Sequence, residues 1–233
     1  RAKAVFRQIF INPFDLPHVR ERAEGAAQIL RRLVHDEIEA RRSDSERFGG
    51  VIGRLIEASE LDDDDIAVQV VGLLVAWAAS VPRGMAYAID WLLDHPDALR
   101  EAQVAGASGD LRAMWALLLK GLQARPPAPA VERTCERTSE VHGVKVKCER
   151  DLMVVLTSAM QDADFEPEHA DEALRHLPFG YGIHQCVGRW ISEVQMSAIA
   201  SELLRRPGVA RVCPLKLEGP YPTRLVVTYG VAR

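Results

Sequence analysis

The sequence has no excess of basic residues and no long uninterrupted apolar run. Its 29 Lys and Arg residues face 33 Asp and Glu residues, for a net charge of −4. A basic surface is what binds nucleic acid or an anionic membrane, so neither partner is predicted. The longest apolar run, at 66–81, contains Gln69 and is shorter than the about 18 residues that a membrane span needs. We predict a buried core helix there and no membrane span.

Cysteine is scarce, and no two cysteines form a C-x-x-C pair. The four are Cys135, Cys148, Cys186 and Cys213. Their irregular spacing gives no zinc signature and no disulfide framework. Reduced thiols are typical of the cytoplasm, which is the predicted location.

The spacing of apolar residues predicts a mainly α-helical fold with minor β structure. Helices are predicted at 19–42, 51–58, 66–93, 111–123 and 189–205, and 97–110 is predicted to be a helix followed by a loop. Pro82 lies inside the third of these and is expected to kink or break it. Short β-type runs at 143–148 and 152–159 predict hairpins, and 210–217 with 223–230 predicts a closing hairpin.

One stretch, LPFGYGIHQCVGRW at 177–190, places Cys186 among three glycines and a histidine just before a predicted helix. A thiolate is a good metal ligand where backbone N–H groups and a helix dipole support its charge. Glycines let the backbone turn tightly and approach a flat group closely. His184 can point away from the sulfur and pair with an anion. This combination suits a haem, with the thiolate on iron and the histidine on a propionate. The alternative is a small buried hydrophobe in a glycine-rich loop.

The spacing F-G-x-G-x-H-x-C-x-G is complete in this stretch. Its members are Phe179, Gly180, Gly182, His184, Cys186 and Gly188. Here the chain resembles the haem-binding loop of the cytochrome P-450 family, the haem-thiolate monooxygenases. The resemblance implies haem b as cofactor, Cys186 as the axial iron ligand, and Arg133 as a further propionate partner.

The resemblance extends along most of the chain and implies one P-450-like haem domain over 1–233. Its expected parts are a mainly helical part at 1–125, β hairpins and the haem loop at 126–188, and a helix with the closing hairpin at 189–233. Most of the family's N-terminal half has no counterpart. The apolar surface left uncovered implies a partner chain, self-association or a further domain. The start of the chain is also somewhat similar to the P-450 part of fused dioxygenases that rearrange fatty-acid hydroperoxides.

The apolar helix departs from the family's pattern at the residues that handle dioxygen. An acid followed by an alcohol normally helps deliver protons that split bound dioxygen. In this sequence Ala79 stands at the acid and Ser80 at the alcohol. Trp77 stands at a preceding glycine, where it either crowds the oxygen groove or serves as a core aromatic. Ser80 is the candidate catalytic polar group.

A second departure lies in the helix at 111–123, where the family has Glu-x-x-Arg as a buried ion-paired brace behind the haem. The equivalent residues are Lys120 and Gln123, which cannot reproduce that ion pair. The brace's third member, an arginine, has Arg175 as its candidate. We predict instead that Arg175 and His176 lie at the surface.

Three functions follow as hypotheses. The first is a haem-thiolate oxidoreductase that uses peroxide or rearranges an organic or lipid-like hydroperoxide, because peroxide already contains the O–O bond. The second is a dioxygen-dependent monooxygenase with a redox partner. The third is a non-catalytic partner subunit, which both departures favour and the complete haem loop opposes. Substrates of either enzyme are expected to be small organic or lipid-like molecules.

Overall fold

The structure is a computed structural model that describes residues 1–12, 14–44, 49–58, 60–162 and 175–230. The helices are α1 (Ala2–Ile11), α2 (Pro17–Ser43), α3 (Gly50–Ala58), α4 (Asp63–Asp94), α5 (Pro96–Ser108), α6 (Leu111–Ala124), α7 (Leu156–Met160) and α8 (Arg189–Leu204). The strands are β1 (Val131–Thr134), β2 (Ser139–Val141), β3 (Val144–Val146), β4 (Asp151–Val154), β5 (Ala210–Glu218) and β6 (Tyr221–Thr228). The predicted class, mainly α with minor β, is confirmed.

The chain divides into two compact units, Arg1–Pro82 and Arg83–Arg233. In the first unit α2 and the start of α4 share an aliphatic core with α3. Its buried members are Val34, Ile38, Ile66, Ala67 and Val70, with Ile52, Leu55, Ile56 and Val71 packed against them. The single domain predicted over 1–233 stays a prediction.

The acidic run before the apolar helix serves as a helix start. The Asp62 carboxylate accepts from the Asp65 amide at 2.8 Å and so caps α4. Asp64 lies 2.8 Å from Arg31 and 2.9 Å from His35, which ties α4 to α2. The hydrogen bond and charge of Arg31 lower the pKa of Asp64.

The apolar helix continues through Pro82, so Pro82 does not break it, and a kink at Pro82 stays a prediction. By length and composition α4 could cross a membrane, although one such helix is weak evidence for a span. Only 33% of its most apolar window is buried, so the prediction of a buried core helix holds for only part of this helix. Its exposed large apolar residues are Val68, Leu73, Leu74 and Trp77.

In the second unit α6 lies close to the later turns of α4. A Cβ added at Gly121 would come within 2.8 Å of Ala88 Cα, so only glycine allows this approach. A Cβ at Gly106 of α5 would lie 3.1 Å from the Ser201 carbonyl oxygen of α8. These close approaches hold α6 against α4 and α8 against α5. In sequence, α6 precedes the cysteine loop and α8 follows it.

The described part of the second unit also has three two-stranded antiparallel sheets: β1 with β4, β2 with β3, and β5 with β6. The hairpins predicted around 143–148 and after 210 are confirmed. The β-type run predicted at 152–159 is wrong beyond Val154, because α7 begins at Leu156. The Glu149 amide donates to the Cys135 carbonyl oxygen, and the Cys135 amide donates to the Arg150 carbonyl oxygen. Two residues therefore face one across the pair, and Glu149 has φ 62°, which is the pattern of a β-bulge.

An ion cluster joins the closing hairpin to α4 and α6. Asp90, whose side chain is 5% exposed, lies 2.7 Å from Arg125 Nη1 and 2.8 Å from Arg211 Nε. Asp94 lies 3.0 Å from Arg211 Nη2. Burial lowers the pKa of Arg211, but Asp94 and Asp90 outweigh it and the pKa is raised.

Candidate cofactor site

The cysteine loop is built from two short turns held by one backbone hydrogen bond. A 3₁₀ turn at Leu177–Phe179 leads to Gly180, and a second at Gly182–His184 leads toward Cys186. The Cys186 amide then donates to the Phe179 carbonyl oxygen at 2.7 Å. This bond closes the loop and sets the position of the thiol.

Two of the loop glycines are required by backbone conformation. Gly180 has φ 79° and Gly182 has φ 65°, in the region that side chains disfavour. A Cβ at Gly180 would also lie 3.0 Å from the His184 carbonyl oxygen. Gly188 has φ −85°, and a Cβ there would make only an ordinary contact, 3.6 Å from Cys186 Sγ. Backbone strain therefore does not account for a glycine at 188.

Cys186 lies two residues before Gly188, which is the N-cap of α8. Within the described ranges, no backbone acceptor is recorded for the amides of Val187 and Gly188. Unpaired amides and the positive end of α8 can both support a thiolate. The Cys186 side chain is free and exposed, so the alternative of a buried small hydrophobe is wrong.

Exposed apolar side chains flank the thiol. Ile183 is 96% exposed and Val187 is 84% exposed. Trp190, Ile191 and Val194 continue the exposed apolar surface along α8. Apolar groups of this size are rarely left in water without a partner. A thiol among them suits a large apolar group that carries a metal.

Behind the loop, α6 makes contacts that sequence reasoning missed. The Trp115 ring stacks on His176, with centroids 6.4 Å apart and planes at 14°, and lies 5.8 Å from the Phe179 ring. Gln123 Nε2 donates to the Arg175 carbonyl oxygen at 2.9 Å. Arg175 is exposed as predicted, but His176 is 8% exposed, so its predicted surface position is wrong.

The comparisons with known proteins agree with this geometry. The cytochrome P450 family model matches residues 122–210, from the end of α6 to the start of β5. This match, with the relatives and solved structures below, supports a member of the cytochrome P450 family over part of the family's length.

Two curated P450 relatives show how much of the family's length the chain spans. Cytochrome P450 GfsF of Streptomyces halstedii is 31% identical over 158 residues, which cover 65% of this chain and 38% of GfsF. Erythromycin C-12 hydroxylase of Saccharopolyspora erythraea is 26% identical over 160 residues, which cover 66% of this chain and 39% of that enzyme. The chain spans about two fifths of the length of these two relatives.

A solved P450 structure establishes the fold over nearly the whole chain. P450BioI in complex with hexadec-9Z-enoic acid ligated acyl carrier protein has a TM-score of 0.81 and 18% sequence identity. The match covers 98% of this chain and 61% of that chain. The P450-like fold class predicted from the sequence is confirmed over this part.

P450 family members bind haem, and the residues around Cys186 fit that group. The exposed thiol offers an iron ligand, Gly180 and Gly182 have no side chain that could obstruct a flat group, and the flanking apolar residues suit a porphyrin edge. His184 is exposed in the second turn. Arg133 is exposed on β1, where Nη1 donates to the Glu132 carbonyl oxygen at 2.7 Å. Their pairing with propionates stays a prediction.

The P450 oxygen-handling positions lie in the first unit. Ala79 is 2% exposed, and Ser80 Oγ donates to the Ala76 carbonyl oxygen at 2.6 Å. Trp77 is 49% exposed, so the reading of Trp77 as a core aromatic is wrong. A catalytic role for Ser80 stays a prediction.

Proposed function

We propose that this chain carries the thiolate side of a haem-dependent oxidoreductase of the P450 type, with haem b as its cofactor. The single observation behind this is the exposed Cys186, held ahead of α8 by its amide's bond to Phe179. Cys186 would ligate the iron, while His184 and Arg133 would hold the propionates. When bound, haem with a thiolate ligand supplies O–O bond cleavage driven by electron donation from sulfur.

The substrate class we infer is a small organic or lipid-like molecule. Two relatives support it by their names alone. One is a hydroxylase of erythromycin, and the other was solved with a fatty acid attached to acyl carrier protein. Each name describes only the relative that carries it. The shared fold makes the same class of substrate reasonable for this chain.

For the oxidant, we favour peroxide or an organic hydroperoxide. Ala79 has no proton to give, and the Ser80 hydroxyl proton is engaged by the Ala76 carbonyl. Proton delivery to bound dioxygen needs an acid or a relay, whereas a peroxide arrives with its O–O bond formed. Residues at these positions therefore suit a route that omits dioxygen activation.

A dioxygen-dependent monooxygenase with a redox partner is the second candidate. The erythromycin C-12 hydroxylase match favours it, because hydroxylation is the reaction in that relative's name. Water or another chain would then have to supply the proton relay that Ala79 lacks.

The deciding experiment is the absorption spectrum of the purified chain with haem, reduced under carbon monoxide. We expect a red-shifted thiolate-type Soret band that disappears in Cys186→Ala. Cys148→Ala is the matched control, because Cys148 is also a free and exposed thiol, and it should keep the band. Absence of haem binding after reconstitution would contradict both enzyme proposals and favour a non-catalytic partner subunit.

The same preparation separates the two oxidants. Product formed with hydrogen peroxide or a lipid hydroperoxide, in the absence of an electron donor, is the expected outcome. Product that requires dioxygen and a reduced electron donor would favour the monooxygenase instead.

A further inference from the structure

At the two α6 positions that the P450 resemblance assigns to it, the brace behind the haem loop is not a Glu–Arg pair. Lys120 and Gln123 stand at the Glu and Arg positions, and Lys120 is exposed. Arg175, the candidate third member, is exposed as well. Charged side chains at the surface gain little from one another.

Gln123 nevertheless makes a contact from the same helix position. Its side chain is buried, and its amide nitrogen reaches the Arg175 carbonyl oxygen at 2.9 Å, across 52 residues of sequence. A neutral amide needs no counter-charge when it is buried, and its hydrogen bond satisfies both groups. The end of α6 is thereby joined to the backbone just before the loop.

Trp115 makes the second contact, about two turns earlier on α6. Its buried ring stacks on the buried His176 and packs against Phe179. Phe179 in turn accepts the hydrogen bond of the Cys186 amide. A continuous set of contacts therefore runs from α6 through an aromatic stack to the residue that carries the thiol.

We propose that the Trp115–His176 ring stack and the Gln123 hydrogen bond together form a brace that positions the Cys186 loop in place of the missing Glu–Arg brace. The effect of this brace on catalysis rests on the proposed haem-thiolate function. The contacts themselves involve no cofactor. All three are positioning residues, since each acts on the thiol through the loop backbone. α6 is a firm base for them because Gly121 packs directly on Ala88 of α4.

The test is hydrogen exchange at the Cys186 amide in the haem-free chain. Gln123→Met keeps the side chain's length but removes its donor, and with it the hydrogen bond to the Arg175 carbonyl oxygen. We expect Cys186 amide exchange to become roughly tenfold faster, as the loss of one buried hydrogen bond implies. Lys120→Met is the matched control on the same helix and should leave the exchange rate unchanged.

A second pair of variants tests the aromatic contact. Trp115→Phe keeps a ring against His176 and Phe179 and should retain slow exchange. Trp115→Leu removes the ring and should accelerate hydrogen exchange at the Cys186 amide. Amides of α5 serve as an internal reference in every variant. The proposal is overturned if Gln123→Met leaves Cys186 exchange unchanged, or if exchange at α5 rises by the same factor.

A spectroscopic readout links the brace to its function. With haem added, Gln123→Met should lower the fraction of haem that shows the thiolate-type Soret band, and Lys120→Met should not. If the wild-type chain takes up no haem, the proposed function fails while the exchange result still decides the brace. If wild type and Gln123→Met hold haem with the same thiolate fraction, the brace fails while the function stands.

Discussion

Gly180 combines two constraints that no other residue type meets. Its φ of 79° lies in the left-handed region, and a Cβ would lie 3.0 Å from the His184 carbonyl oxygen. We expect Gly180→Ala to lower the free energy of unfolding by about 1–3 kcal/mol, the usual cost of a strained backbone conformation. Denaturant unfolding of the purified variant measures this cost.

Gly188→Ala is the control within the same loop. With φ −85° and an ordinary Cβ contact of 3.6 Å, alanine fits there without strain. Its cost should stay below about 1 kcal/mol, since only the N-cap preference changes. Equal losses at 180 and 188 would show that conformation is not what selects glycine at 180.

The same residue scale shows what the sequence could and could not predict. The motif from Phe179 to Gly188 can be recognised in the sequence because its residues are close together. The role of each residue type there follows from the loop itself. The Gln123–Arg175 and Trp115–His176 contacts join residues more than 50 positions apart. Spacing carries no information about such pairs, and His176 was placed at the surface for that reason.

At the scale of elements, Asp90 holds α4, α6 and the closing hairpin together through Arg125 and Arg211. Removing a buried carboxylate leaves both guanidinium groups without their nearest partner. We expect Asp90→Ala to lower the free energy of unfolding by about 2–4 kcal/mol, less than for a fully buried pair because both arginines are partly exposed. Thermal or denaturant unfolding measures the loss.

Asp97→Ala provides the comparison for Asp90. Asp97 pairs with Arg100 on α5, and both side chains are largely exposed. An exposed pair of this kind contributes under about 1 kcal/mol. A loss at Asp97 as large as that at Asp90 would mean that burial does not set the strength of the cluster.

Helix and strand positions were largely predictable, and the errors have identifiable causes. The run at 152–159 is rich in β-branched and apolar residues up to Val155, yet helix α7 begins at Leu156. There the Thr157 amide donates to the Pro129 carbonyl oxygen, a contact made across 28 residues. The sequence also predicts a long irregular stretch at 162–180, of which 163–174 lies outside the described residues. Pro82 did not break α4, because a long apolar helix can tolerate the loss of one backbone hydrogen bond.

At the scale of the whole molecule, haem binding should raise stability by mass action. A ligand that binds only the folded chain adds about 2.7 kcal/mol when its concentration is 100 times its Kd. We expect the unfolding temperature to rise with added haem in the wild type and much less in Cys186→Ala. An equal rise in both would place the haem somewhere other than on Cys186.

The chain's extent relative to its family was the hardest property to interpret from sequence. The P450 match explains 98% of this chain with 61% of a solved P450, and large apolar residues such as Ile183, Val187 and Trp190 are exposed. Composition and periodicity report which residues are apolar but not what covers them. Partner chain, self-association and further domain therefore stay as alternatives for that surface.

The exposed thiol has a practical consequence for anyone who handles this protein. Cys186 is exposed to solvent beside Val187, so a maleimide or iodoacetamide can reach its sulfur. If this sulfur ligates iron as we propose, bound haem should block the reaction. The buried Cys135 offers an internal comparison that alkylates slowly. Mass spectrometry would then measure the fraction of chains whose Cys186 stays unlabelled. Under the proposed ligation, this is the fraction that carries haem on the sulfur.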